Sequence, residues 1–241
     1  MVDGLPTGGN CPECGRTIES SMPESRQGSP WQRGPSAGSW LSTLWLVLMH
    51  PLRMARTIGI GVGGIRRLQT VNVSAASVVV GLGLGFAQHR FLVLESLGLV
   101  RAAGGPNGGE PGARIVAVAI LGAVAAFALI SGLTAIERLG IRFFGRVHKA
   151  RVTECIARAL TAHASAAWLA GAVLFVLGLA VGTWVHEVAM EQNVGAGRGL
   201  MMLSPALLAL LGGFLGMLWF ESIVYLGLRA CRFANRARPE P

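Results

Sequence analysis

The run Cys11-Pro12-Glu13-Cys14-Gly15 is the sharpest chemical signal in the chain. Two cysteines separated by two residues present their thiolates from one tight turn, and Gly15 leaves the backbone amides free to turn toward the sulfurs. Paired thiolates suit a tetrahedral zinc ion, so zinc is the candidate cofactor. A structural zinc site needs four ligands, and no second knuckle of this kind occurs in the sequence. Two completions are open. Two copies could each give one knuckle, which would make a zinc-clipped homodimer, or Cys155 and Cys231 could supply the second pair. Lone cysteines beside apolar segments are otherwise small buried hydrophobes. The plainest alternative is a relic knuckle that holds no metal.

Ionisable residues within apolar segments form the second candidate group. Glu221 lies eight residues before Arg229, about 12 Å along a helix. Inserting it costs up to about 3.5 kcal/mol, and the twelve Leu, Ile, Val and Phe residues of 205–228 return about 0.3–0.6 kcal/mol each. Glu137 and His163 sit near the ends of two other apolar segments. A Glu221–His163 pair would suit a proton or ligand site, and a structural hydrogen-bonded pair is the simpler expectation. His186-Glu187 begins like a zinc-protease helix but continues Val-Ala-Met, without the second histidine. No Gly-x-Ser-x-Gly occurs, and the glycines at 59, 61, 63 and 64 lack the Lys-Ser/Thr of a phosphate loop. These features predict no enzymatic activity.

The elements that must position these residues are apolar. Segments 71–87, 115–136, 164–185 and 205–228 contain no Lys or Arg. Seven basic residues precede the first, three occupy the first connection, six the second, one the third, and four the tail. Alternate compartments therefore carry seventeen against four, the positive-inside pattern of a four-span protein with both termini in the cytoplasm. A mean hydropathy of +0.54 with 14% charged residues excludes an ordinary soluble domain. The net charge of +9 is spread around the spans, which argues against a nucleic-acid partner and for contact with anionic lipid.

The expected organisation follows. Residues 1–39 contain 18 Gly, Pro or Ser and read as a disordered cytoplasmic tail around the knuckle. They have neither an apolar core nor a basic start, so no signal peptide is expected. Residues 40–70 read as an interfacial amphipathic segment carrying Trp40 and Trp45, broken at Pro51. A helical bundle spans 71–228, and 229–241 is a basic cytoplasmic tail. Segment 91–100, interrupted by Glu95, is either interfacial or part of a longer span, which leaves four spans with a fifth open. Residues 152–163 read as an amphipathic surface helix leading into the third span. Glycine pairs 81/85, 178/182 and 212/216, with Gly122/Ala126 and Ala128/Gly132, predict close helix contacts, either within a compact bundle or at a dimer face. The fold class is thus all-α, a polytopic helical membrane bundle with cytoplasmic interfacial helices.

The knuckle is similar to those of rubredoxins and to half of a zinc ribbon. With a Pro/Ser-rich tail, a Trp-rich segment, His50-Pro51-Leu52-Arg53 and four to five spans, the chain resembles bacterial multi-pass membrane proteins whose membrane part is similar to the Yip-type family. Residues 151–168 (Arg-Val-Thr-Glu-Cys-Ile-Ala-Arg-Ala-Leu-Thr-Ala-His-Ala-Ser-Ala-Ala-Trp) carry most of that likeness. It implies a helical bundle, usually of five spans. Eukaryotic Yip-type members bind Rab-type GTPases and act in vesicle traffic. No site residue is transferred from the family.

The functional expectation is a non-enzymatic inner-membrane protein that organises membrane or protein partners through its metal-knuckle tail and bundle. A small transporter or proton-coupled carrier using Glu221 and His163 is one alternative. A zinc- or redox-responsive membrane regulator is the other.

Overall fold

The fold is that of a computed structural model, which describes residues 8–10, 17–18, 26–60, 63–96, 110–147, 152–191 and 198–231. The described residues are mostly helical, as an apolar chain without alternating polarity requires. The helices are α1 (Pro30–Arg33), α2 (Ala37–Met49), α3 (Pro51–Thr57), α4 (Ile65–Ser96), α5 (Pro111–Val147), α6 (Glu154–Ala164), α7 (Ala166–Glu191) and α8 (Arg198–Cys231). Among the described residues, four stretches are long and apolar enough to cross a membrane: Ile65–Ser96, Pro111–Phe144, Glu154–Val188 and Ser204–Cys231. The protein is a helical bundle of the membrane-spanning type.

Helix boundaries follow local chemistry. Ser36 caps α2 by accepting from the Ser39 amide at 3.1 Å, while Ser39 Oγ accepts from the Ser36 amide at 2.8 Å. His50 ends α2, and Pro51 opens α3 at a first-turn position where its missing N–H costs nothing. Helix α4 runs unbroken through Arg90 to Ser96, so the described part of segment 91–100 continues the first apolar helix. Residues 97–100 lie outside the described residues. Pro205 does not start α8 but sits inside it. The lost i→i−4 bond is tolerated because the helix is supported by close neighbours, and the Pro205 backbone lies against Gly182.

The chain divides into two compact units. One comprises Asn72–Gly132 and Ala167–Trp219. Small residues set its packing. A Cβ on Gly81 would meet the Ala119 carbonyl at 2.5 Å and Ala123 Cβ at 2.8 Å, so α4 and α5 touch nearly backbone to backbone. Gly171 and Gly216 bring α7 and α8 together in the same way, and Gly178 and Gly212 oppose the backbones at Leu208 and Leu174. Hydroxyls within it satisfy themselves locally: Ser77 donates to the Val73 carbonyl at 2.7 Å and Thr183 to that of Leu179 at 2.9 Å.

The other unit comprises Met1–Val71, Leu133–Ala166 and Phe220–Pro241. Here α2 packs against α1, α3 and α6. Two expectations are corrected. Within the expected disordered tail 1–39, Ile18 is buried, and Arg26, Ser29 and Trp31 each find buried partners. And α6 is no surface helix. Ile156, Ala157 and every residue from Ala159 to Ala164 are buried, leaving only its first residues and Arg158 partly accessible.

Candidate functional site: a polar clasp on the bundle

The densest polar geometry lies where residues 26–34 meet the bundle, within the second of these units. Sequence reasoning missed it, because Arg26, Ser29 and Gln32 stand in a Gly/Pro/Ser-rich stretch and their partners are distant in the chain. Ser29 precedes Pro30, whose fixed φ starts α1, and so becomes its N-cap. Its hydroxyl accepts from the Gln32 amide at 3.3 Å, while its own amide donates to Gln32 Oε1 at 2.9 Å. The Gln32 side chain also grips Gly59, donating to its carbonyl at 2.8 Å and accepting from its amide at 3.0 Å.

His163 closes the other side. Its Nδ1 faces the Ala159 carbonyl at 2.8 Å, and a carbonyl can only accept, so Nδ1 carries the proton. Nε2 then accepts the Ser29 hydroxyl proton at 2.9 Å. A serine hydroxyl on an imidazole is the geometry of an activated nucleophile. Here both residues have no exposed surface, and a backbone carbonyl stands where a carboxylate would orient the ring. The pair therefore works as a buried lock between α1 and α6.

Arg26 is a second anchor. Its guanidinium donates to the Ala55 carbonyl at 2.8 Å, the Ala230 carbonyl at 3.3 Å and Cys231 Sγ at 3.4 Å. The Cys231 thiol donates in turn to the Ala55 carbonyl at 3.4 Å. Trp31 adds its indole N–H to the Gly64 carbonyl at 3.1 Å, where Gly64 takes a positive φ, and its amide to Thr43 Oγ1 at 3.0 Å. The charge-assisted Arg26 bonds to carbonyls contribute about 1.5–3 kcal/mol each, and the neutral Trp31 bonds about 0.5–1.5 kcal/mol.

The residues singled out from sequence are dispersed. Cys11 and Cys14 lie outside the described residues, but Asn10 and Thr17 on either side of them pair as an antiparallel bridge, and the Ile18 amide donates to the Gly9 carbonyl at 2.9 Å. Cys231 is buried in the clasp, whereas Cys155 is exposed on the first turn of α6. Among the described residues, no three His, Cys, Asp or Glu side chains are grouped to hold a metal. Glu221 lies beside Glu137, while His163 belongs to the clasp. Glu187 takes Arg90 as a bidentate partner, with Nε donating to Oε1 at 3.0 Å.

Compared with protein-family models, curated proteins and solved structures, the chain matches none.

Proposed function

We propose that this chain is a non-enzymatic multi-pass protein of the cytoplasmic membrane that holds a cysteine knuckle at the membrane surface to organise protein partners or membrane. The observation that carries this reading is the clasp. Twelve residues beyond Cys14, the chain is anchored by Arg26 and then by Ser29, Trp31 and Gln32, all through buried or half-buried bonds. An anchor so close restricts the knuckle to a span of at most ~40 Å from the bundle. The Yip-type resemblance, with GTPase-binding members among eukaryotes, points the same way. Seventeen basic residues against four support cytoplasmic termini.

Cys11 and Cys14 would supply two thiolates to a zinc ion, and the knuckle of a second copy the other two. The test is zinc content after purification in mild detergent under reducing conditions, beside a Cys11→Ser/Cys14→Ser variant. About half a zinc per chain, lost in the variant, is expected for two knuckles sharing one ion. Photo-crosslinking from position 8 in living cells then reads the partners. Adducts that disappear in the double variant support the organising role; an unchanged pattern removes the knuckle from it.

A second reading rests on the Glu137–Glu221 pair. Two neighbouring carboxyls within apolar helices, one of them exposed on the bundle, suit a proton-linked carrier. Glu221→Gln should then abolish a proton-coupled flux in reconstituted vesicles while leaving the fold intact. A variant as active as the parent excludes it.

A further inference from the structure

Around the start of α6, three arginines converge on one carboxylate. Arg158 Nη2 donates to Glu154 Oε1 at 3.0 Å, Arg138 Nε lies 3.8 Å from the same oxygen, and Arg142 Nη1 lies 3.1 Å from Oε2. The Arg142 contact is an ion pair without hydrogen-bond alignment, since Oε2 has no aligned donor. Three guanidiniums against one carboxylate leave two positive charges uncompensated by Glu154. All four side chains are about one-third exposed, so they remain open to a ligand. Arg158 Nε is enclosed with no hydrogen-bond partner among the described residues.

Placement tells what that ligand is. Arg138 and Arg142 stand one turn apart in the last turns of the apolar stretch Pro111–Phe144. Beside them on α5 runs a second stripe, Ile136, Leu139 and Phe143, each about 60% exposed or more. A charged cluster flanked by open apolar surface, at the end of a membrane-crossing helix, matches a molecule with an anionic head and hydrocarbon chains. A free phosphate would use only the first half of that surface.

We propose that Arg138, Arg142 and Arg158, arranged around Glu154, form a binding site for the phosphodiester headgroup of an anionic glycerophospholipid, with its acyl chains along Ile136, Leu139 and Phe143. Glu154 has a defined part in it. It offsets one of the three positive charges and leaves the other two for an anion. Basic clusters at this depth favour anionic headgroups through Coulomb attraction that lipid burial strengthens.

The test uses the full chain in zwitterionic nanodiscs, titrated with short-chain phosphatidylglycerol, with phosphatidylcholine of the same chains, or with inorganic phosphate. Unfolding temperature is the readout. Phosphatidylglycerol is expected to raise it saturably, and phosphatidylcholine and inorganic phosphate to leave it unchanged. Arg138→Gln/Arg142→Gln should weaken the apparent affinity about tenfold or more, whereas Arg66→Gln/Arg67→Gln, an exposed pair at the start of α4, should not. Glu154→Gln removes the counter-charge and should tighten binding, which keeps the idea testable if the double arginine variant does not fold. An equal response to inorganic phosphate would make it a simple anion site and overturn the lipid assignment. Equal losses in both arginine pairs, or weaker binding by Glu154→Gln, would overturn the site itself.

Discussion

Ser29 does two jobs that are normally separate. It caps α1, and it satisfies a ring nitrogen of His163 in a place water does not reach. Ser36 provides the comparison, because it caps α2 with the same reciprocal box but is exposed. Ser36→Ala should therefore cost only a cap, about 1 kcal/mol. Ser29→Ala loses a cap and also orphans a buried acceptor, which adds about 1–3 kcal/mol. Denaturation of the detergent-solubilised protein should thus rank Ser29→Ala clearly below Ser36→Ala. Equal effects would mean that the Ser29–His163 bond contributes nothing. Neither role of Ser29 is legible in the sequence, since Ser-Pro after Gly reads as tail composition and the partner lies 134 residues away. His163 itself is legible as a polar group at the edge of an apolar run, but not which neighbour it meets.

At the scale of elements, small residues decide where helices touch. A Cβ on Gly171 would fall 2.8 Å from the Gly216 Cα, and backbone cannot swing aside as a side chain can. Gly171→Ala should force α7 and α8 apart and lower the unfolding temperature. Gly132 on α5 has nothing within 4 Å of the same added atom. There the substitution should be neutral or gain up to about 1 kcal/mol, because alanine loses less backbone freedom in a helix. A matched loss at both positions would show that helix propensity rather than contact governs the response. Glycine pairs are readable from a sequence because lipid offers no hydrophobic drive between helices, leaving close backbone approach as the main attraction. Ala128/Gly132 has the same spacing, yet among the described residues nothing lies within 4 Å of a Cβ added at Gly132, which leaves the dimer-face reading for that pair. Helix α6 is less readable. Its alternation of Arg158 and Glu154 with apolar residues suggests a surface helix, but Ala157, Ala159 and Ala162 are small enough for α2 and its other neighbours to cover nearly every face.

For the whole molecule, four apolar helices are legible because the bilayer demands about 20 apolar residues for each crossing, a constraint too severe to be masked by packing. Their ends are less so: the first reads as 71–87 and is a helix from Ile65 to Ser96, since Arg66, Arg67 and Arg90 continue it without being apolar. Crossing number decides sidedness, and Cys155 reports on it. With four crossings, residues before α4, the α5–α6 connection and the end of α8 share one side, which the proposed orientation places in the cytoplasm. In a Cys11→Ser/Cys14→Ser background only Cys155 and Cys231 remain, one exposed and one buried against Arg26 and Ala55. A membrane-impermeant maleimide should label one thiol in inside-out vesicles, none in intact spheroplasts, and two after denaturation. The native label should vanish on Cys155→Ser and persist on Cys231→Ser. Labelling of Cys155 from outside the cell would reverse the orientation of the whole bundle. A terminal tag on the side opposite Cys155 would instead require an odd number of crossings, and α4, running as one helix to Ser96, supplies only one of them.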